Sequence, residues 1–218
     1  MLIQKLHPAL KPGQQLVLAD SGSPLFSRQG DWDSGSALHC VAMALALLGK
    51  LTDPVALSRS GGGPETAFWD RAWPHYLHGL TRSELESFVW ELNLGVRPVA
   101  LRHGRGGSIL NFCERELKRG WPVIVGWRRR PVRDAHAALV IGIEGRQHRR
   151  AFEPRALLLL DPAAVEPRLA ACNARLIFDR KRASYVTETR AYRVTIDTAI
   201  SIRLITGRPP ALISDGCA

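Results

Sequence analysis

The chain has no CxxC pair: its four cysteines, Cys40, Cys113, Cys172 and Cys217, stand far apart. That spacing argues against a structural zinc motif and a disulfide framework, so reduced thiols are expected. No apolar run approaches the roughly 20 residues that cross a bilayer. Met1 to Gly13 carries Lys5 and Lys11 but no continuous apolar segment ahead of a small-residue cleavage site. Neither a membrane span nor a secretory signal is expected, and the default location is cytoplasmic. Lysine is scarce, with five among 30 basic residues, so the net charge of +10 is almost entirely guanidinium. The basic clusters Arg128-Arg129-Arg130, Arg146 through Arg150 and Arg180-Lys181-Arg182 lack the aromatic interleaving of a single-strand binding groove. Nucleic acid is therefore a disfavoured partner, and a solvated basic surface is the plainer reading. Gly61-Gly62-Gly63-Pro64 has no following Lys-Ser or Lys-Thr, which excludes a phosphate-binding P-loop.

What the chain does have is one strongly patterned stretch, Gln29 to Lys50. A polar loop, Gln29-Gly30-Asp31-Trp32-Asp33-Ser34-Gly35, feeds a segment from Ala37 to Leu48 that is apolar on nearly every face and stops at Gly49. A helix of that kind must be wrapped by the rest of the domain. Its first turn, at Ser36, then presents unsatisfied N–H groups and the positive end of the helix dipole, a place suited to an anion or an anionic nucleophile.

The remaining elements divide by period. Leu16-Val17-Leu18 reads as a short strand and Thr52 to Trp73 as a long irregular connection holding Phe68, Trp69 and Trp73. Thr81-Arg82-Ser83-Glu84 is a capping-box pattern ahead of Leu85, Phe88, Val89 and Leu92. Val96 to Leu101 reads as a strand and Ser108 to Arg119 as a helix stopped by Gly120. From Trp121 onward the pattern is extended: strands are expected at 121–127, 135–143, 156–161, 175–178 and 192–205. Composition is that of an ordinary globular protein, 45% hydrophobic and 23% charged. The expectation is one α+β domain over 1–218, with a helical half at about 30–120 and an antiparallel β half at about 121–206.

Three features then fall in a telling order. A Gln-containing loop, with Gln29, leads to a small residue, Ser36, at a helix start. His136 opens the strand Asp134-Ala135-His136-Ala137-Ala138-Leu139-Val140-Ile141-Gly142-Ile143, and Asp161 ends Leu157-Leu158-Leu159-Leu160-Asp161-Pro162. Over roughly residues 25 to 165 this order resembles the papain-like cysteine peptidases, in particular the bacterial group that includes the double-glycine leader peptidases. In that group a Gln and a few polar residues precede Cys-Gly at the central helix, and an H-x-x-x-V-x-G strand and an L-x-D-P strand follow. The resemblance implies a central buried helix packed on an antiparallel sheet. It also implies a thiol peptidase working through an acyl-enzyme. Position 36 would be the nucleophile, His136 the general acid and base, Asp161 the residue that orients the histidine, and Gln29 the oxyanion donor together with the N–H of Ser36. A peptide or protein is the implied substrate. The basic turn at Arg128 to Arg133 would favour acidic residues near the scissile bond, or would simply be a solvated hairpin tip.

The departure from the family pattern is Ser36-Ala37 in place of Cys-Gly. A hydroxyl gains far less than a thiol from a helix dipole, so a site tuned for thiolate works poorly with serine. Three readings stay open: a thiol exchanged for serine to silence the enzyme, an inactive relative that binds a peptide or protein partner, and a working serine variant or shifted register. Ser34 and Leu38 occupy the glycine positions of G-x-S-x-G, so the serine-hydrolase elbow is absent. Cys40, one turn further along the helix, is the alternative nucleophile and reads better as a buried thiol. Ser34 reads as a cap or turn residue and His39 as a core or cleft-wall histidine. His75, His78 and His103 lack acidic or cysteine partners at ligand spacing, so no metal and no cofactor are expected.

Overall fold

The computed structural model describes residues 1–30, 34–56, 62–101, 106–129, 135–149, 151–179 and 182–206. In chain order these form β1 (Leu2–Leu6), β2 (Leu10–Lys11), β3 (Val17–Leu18), α1 (Ser36–Leu47), α2 (Pro64–Ala72) and α3 (Arg82–Glu91). There follow β4 (Val96–Ala100), α4 (Gly106–Lys118), β5 (Val123–Arg128), β6 (Ala135–His148), β7 (Ala151–Leu160), β8 (Ala174–Asp179), β9 (Arg182–Val186) and β10 (Ala191–Leu204).

Helix ends obey their local chemistry. Thr81 and Glu84 form the reciprocal capping box, with Thr81 N–H on the Glu84 carboxylate at 2.7 Å and Glu84 N–H on Thr81 Oγ1 at 3.4 Å. At the end of α1, Gly49 takes φ +66°, Lys50 N–H reaches Leu45 O at 2.8 Å and Gly49 N–H reaches Ala46 O at 3.0 Å, the paired bonds of a Schellman stop. Gly120 ends α4 in the same way. The stretch expected to be an irregular connection, 52–73, contains α2, which starts with Pro64 at its first turn and buries Phe68 and Ala72.

The expected papain-like architecture, a buried helix packed on a sheet, is not what the chain adopts. The fold is mixed α/β, with short helices around a sheet that closes on itself. Strands β5, β6, β7, β8, β9 and β10 pair in that cyclic order, every pair antiparallel, and β6 pairs with both β5 and β7 to complete a six-stranded barrel. The strand that decides this is β9, unmarked in the sequence reading: it is short and follows Arg180-Lys181. It bridges β8 and β10, turning a meander into a ring. The barrel's two longest strands also serve as edges beyond it, β6 for β1 and β10 for β4.

Closure demands sharp bending, and β6 supplies it with irregular register near Gly142 and Gly145. A Cβ at Gly142 would stand 2.7 Å from Lys5 O, and one at Gly145 would stand 2.3 Å from Glu153 O, so neither position admits a side chain.

Alternation across the barrel wall explains the continuous apolar runs. Val123, Val125 and Trp127 join Ala138, Val140, Leu157, Leu159, Leu176, Tyr185 and Ala199 in one cluster to which all six barrel strands contribute, so it is the barrel interior. Helix α4 plugs this interior with Phe112, Cys113 and Leu117. The alternate residues, Ile124, Leu139, Ile141, Leu158, Leu160 and Ile200, face outward into a second cluster built on α1, α2 and α3. Both faces of this wall are therefore covered, which is why Leu157 to Leu160 reads as four leucines in a row. Every residue of α1 is buried. Among the described residues no helix is long and apolar enough to cross a membrane.

Candidate active site

The site lies where β6 begins and β7 ends. His136 is the second residue of β6, pairs in register with Trp127 and sets its ring edge-on to the indole at a centroid separation of 5.0 Å. Its side chain is 23% exposed. Asp161 follows the last residue of β7 and is 2% exposed. Its Oδ1 accepts His136 Nε2 at 2.7 Å and the N–H of Ala163 at 2.9 Å, while Oδ2 accepts the Tyr185 hydroxyl. Asn173 holds the Asp161 backbone from both sides: Asp161 N–H donates to Asn173 Oδ1 at 2.7 Å, and Asn173 Nδ2 donates to Asp161 O at 2.9 Å and Val165 O at 3.0 Å.

Burial pushes the Asp161 carboxyl up. The hydrogen bond and charge of His136, with the Tyr185 hydroxyl and the Ala163 N–H, outweigh it and hold the group below the usual carboxylate range. An ionised carboxylate only accepts, so the proton shared with His136 sits on Nε2 and leaves Nδ1 as the nitrogen open to chemistry. Burial first, and then the charge of Asp161, push the Tyr185 phenol up, so it stays a donor.

Ser36, itself buried, also reaches β6. Its Oγ accepts the N–H of Ala137, the residue after His136, at 3.2 Å, beyond the last β6–β7 pair, Leu139 with Leu160. Ser36 opens α1, whose N-cap is Gly35 with no side-chain cap bond and no acidic residue in the first turn. The expected cap role of Ser34 is thus not taken; its N–H instead donates to Tyr76 O at 3.1 Å. Gln29 is tied in through its backbone, its N–H donating to the carbonyl of Pro162, next to Asp161, at 2.9 Å. All four residues expected from the sequence lie along one short bonded path, Gln29 to Pro162–Asp161, Asp161 to His136–Ala137, and Ala137 to Ser36. The Asp31, Trp32 and Asp33 part of the loop lies outside the described residues.

Other candidates fall elsewhere. Cys40 is fully buried, and burial, with Asp161 second, pushes its thiol well up, which removes it as a nucleophile. His39 is buried, its Nδ1 2.8 Å from Ser27 Oγ, with Trp69 and Tyr76 against its ring. His75 stands edge-on to Phe88, and His103 lies outside the described residues. No group of three potential metal ligands occurs among the described residues. In the basic turn, Arg128 pairs with Asp197 at 2.8 Å and Arg129 lies over the Tyr192 ring at 4.6 Å; Arg130 to Arg133 lie outside the described residues.

His136, Asp161 and Tyr185 line a groove of about 910 Å³ together with Ala163 to Arg168 and Val186 to Arg190; Ser36 and Gln29 are not among its lining residues. Both segments carry charge of each sign, Glu166 and Arg168 in one and Glu188 and Arg190 in the other. Sequence reasoning missed Tyr185, Asn173 and Trp127. For Tyr185 a signal existed in the alternation of buried Ala183 and Tyr185, whereas nothing marks Asn173. No family model matches the chain, and no curated protein matches its sequence.

Proposed function

We propose that this chain carries an amide-hydrolase site of the thiol-peptidase type, acting on a peptide or protein through an acyl-enzyme, with Ser36 standing where the chemistry wants a thiol. The observation that carries this reading is the bonded path from Ser36 through Ala137–His136 to Asp161. Along it Ser36, at the start of α1, is bonded to the residue after His136, and His136 Nε2 is bonded to a buried carboxylate. In the reaction the nucleophile adds to the substrate carbonyl carbon and its proton passes through His136 Nδ1 to the leaving amine. Water then adds to the acyl group and restores the enzyme. Backbone N–H groups at the first turn of α1 suit the developing oxyanion, and Gln29 is the side-chain candidate to join them. The 910 Å³ groove lined by His136 and Asp161, though not by Ser36, offers room for a peptide next to the histidine. Cys40, Cys113 and Cys172 are all unpaired, which fits a reducing, cytoplasmic setting.

With Ser36 as it stands, turnover is slow, because a hydroxyl must be deprotonated during attack whereas a thiol at a helix start is already anionic. That residue favours a second reading, a silent member that binds a peptide in the same groove. The two separate in one experiment. In a Ser36→Cys variant that also carries Cys217→Ser, the new thiol is expected to react with iodoacetamide below pH 7, far faster than Cys40, Cys113 and Cys172, and to lose that reactivity in His136→Ala. Labelling at the rate of an ordinary exposed thiol, unchanged by His136→Ala, would leave only the binding reading.

A further inference from the structure

We propose that Tyr185 is a positioning residue of this site: its hydroxyl occupies Oδ2 of Asp161, so that Oδ1 alone meets His136 and the imidazole ring is held in one orientation. The inference rests on the hydrolase reading above for its purpose but not for its geometry.

A buried carboxylate has two oxygens and can rotate, and a histidine bonded to a rotating carboxylate is poorly fixed. Here each oxygen has its own donor. Oδ1 takes His136 Nε2 at 2.7 Å and Ala163 N–H at 2.9 Å, and Oδ2 takes Tyr185, on a different strand. Tyr185 is itself held. Its ring is 4% exposed and packs at 5.0 Å against both Trp127 and Tyr192, and Trp127 in turn meets the His136 ring. One aromatic chain, Tyr192–Tyr185–Trp127–His136, therefore sets the histidine ring plane, while the hydroxyl at its middle sets the carboxylate plane. Such support around a reacting pair resembles the outer shell that orients ligands in metal sites, where a second hydrogen bond decides which nitrogen is free. The placement also explains the barrel's closure through β9: the strand that completes the ring delivers this hydroxyl. The other charged or titratable groups acting on the cluster are Tyr192 from β10, Arg190 from the β9–β10 turn, Arg129 after β5 and Cys40 from α1. None donates to Asp161 Oδ2 among the described residues, so Tyr185 is the donor to remove.

The test uses the full chain with nitrogen-labelled histidine and reads the ring nitrogens of His136 by NMR at a pH where the ring is neutral. The unsubstituted chain is expected to hold its proton on Nε2 with Nδ1 bare and to show that proton far downfield, and Asp161→Asn, which favours the other tautomer, provides the reference without a charged acceptor. Tyr185→Phe keeps the ring and its packing and removes the hydroxyl. It is expected to leave the proton on Nε2, since the carboxylate still only accepts, and to shift that proton clearly upfield as the carboxylate and the ring lose their single orientation. A merely structural Tyr185 lowers the melting temperature and leaves the Nε2 proton where it was, and that result would overturn the proposal. In the Ser36→Cys background, Tyr185→Phe is further expected to slow iodoacetamide labelling by about tenfold. A shifted Nε2 proton with a labelling rate unaffected by His136→Ala would refute the hydrolase reading and leave the positioning role standing.

Discussion

Among the described residues two carboxylates lie buried, and their partners give them opposite tasks. Glu116, fully buried on α4, takes Arg203 Nε and Nη2 at 2.8 Å, Ser201 Oγ at 3.0 Å and Arg115 Nε at 3.1 Å. Its partners carry fixed charge or a neutral hydroxyl, and the bonds lock the barrel plug to β10. Asp161 is as deeply buried, but its principal partner is a histidine that can gain or lose a proton and opens on a groove. Arginine cannot deprotonate in a protein, so the Glu116 cluster is a clamp; imidazole can, so of the two clusters Asp161's is the one with a partner able to pass a proton.

Several substitutions break or sharpen that contrast. In the Ser36→Cys background, Asp161→Asn is expected to slow thiol labelling by about a hundredfold or more while the barrel stays folded, because the wrong tautomer is then favoured. Labelling rates and circular dichroism on the same samples check it. Arg203→Ala should show the converse, a stability loss of about 3 kcal/mol by urea denaturation from the uncompensated Glu116 charge, with unchanged labelling of the folded fraction. Gly79→Ala tests the loop in front of Ser36. Gly79 has φ +69°, and a Cβ there would stand 2.8 Å from Ser34 O, so the change is expected to lower stability by about 1–2 kcal/mol and to slow labelling as well.

The smallest effect is on pH dependence. His7 is buried, with Nε2 on Gly120 O at 3.0 Å and Nδ1 accepting Ala9 N–H at 3.3 Å. Burial lowers its affinity for a proton, and the Gly120 bond only partly opposes this. The unfolded chain then takes up the proton first as pH falls through about 6.5, so stability declines on the acid side of that value and is unaffected above it. His7→Gln should flatten melting temperature against pH between roughly 6.5 and 5.

The contrast also explains which parts of the fold were legible in the sequence. Ser36, His136 and Asp161 stand at element boundaries that announce themselves: an apolar helix after a polar loop, a strand opening on His, a leucine run ending in Asp-Pro. The capping box at Thr81 and the stops at Gly49 and Gly120 were readable because those signals act within one turn of chain. Barrel closure was not, since it depends on β9 finding β8 and β10, and a five-residue strand with alternating burial carries little weight against its charged flanks. Tyr185 was missed with it. α2 was hidden by glycine and proline, which read as loop although Pro64 sits where a helix tolerates it. Nothing in the sequence marks Glu116, because its partner Arg203 is 87 residues away.

The central claim is that position 36, His136 and Asp161 act as one unit, and a double-mutant cycle tests it most directly. In the Ser36→Cys background, labelling rates are measured for His136→Ala, Asp161→Asn and the two together. A unit predicts that the double variant is no slower than His136→Ala alone, since Asp161 works only through the histidine. Effects that multiply, with the double variant slower by the product of the two, would contradict it.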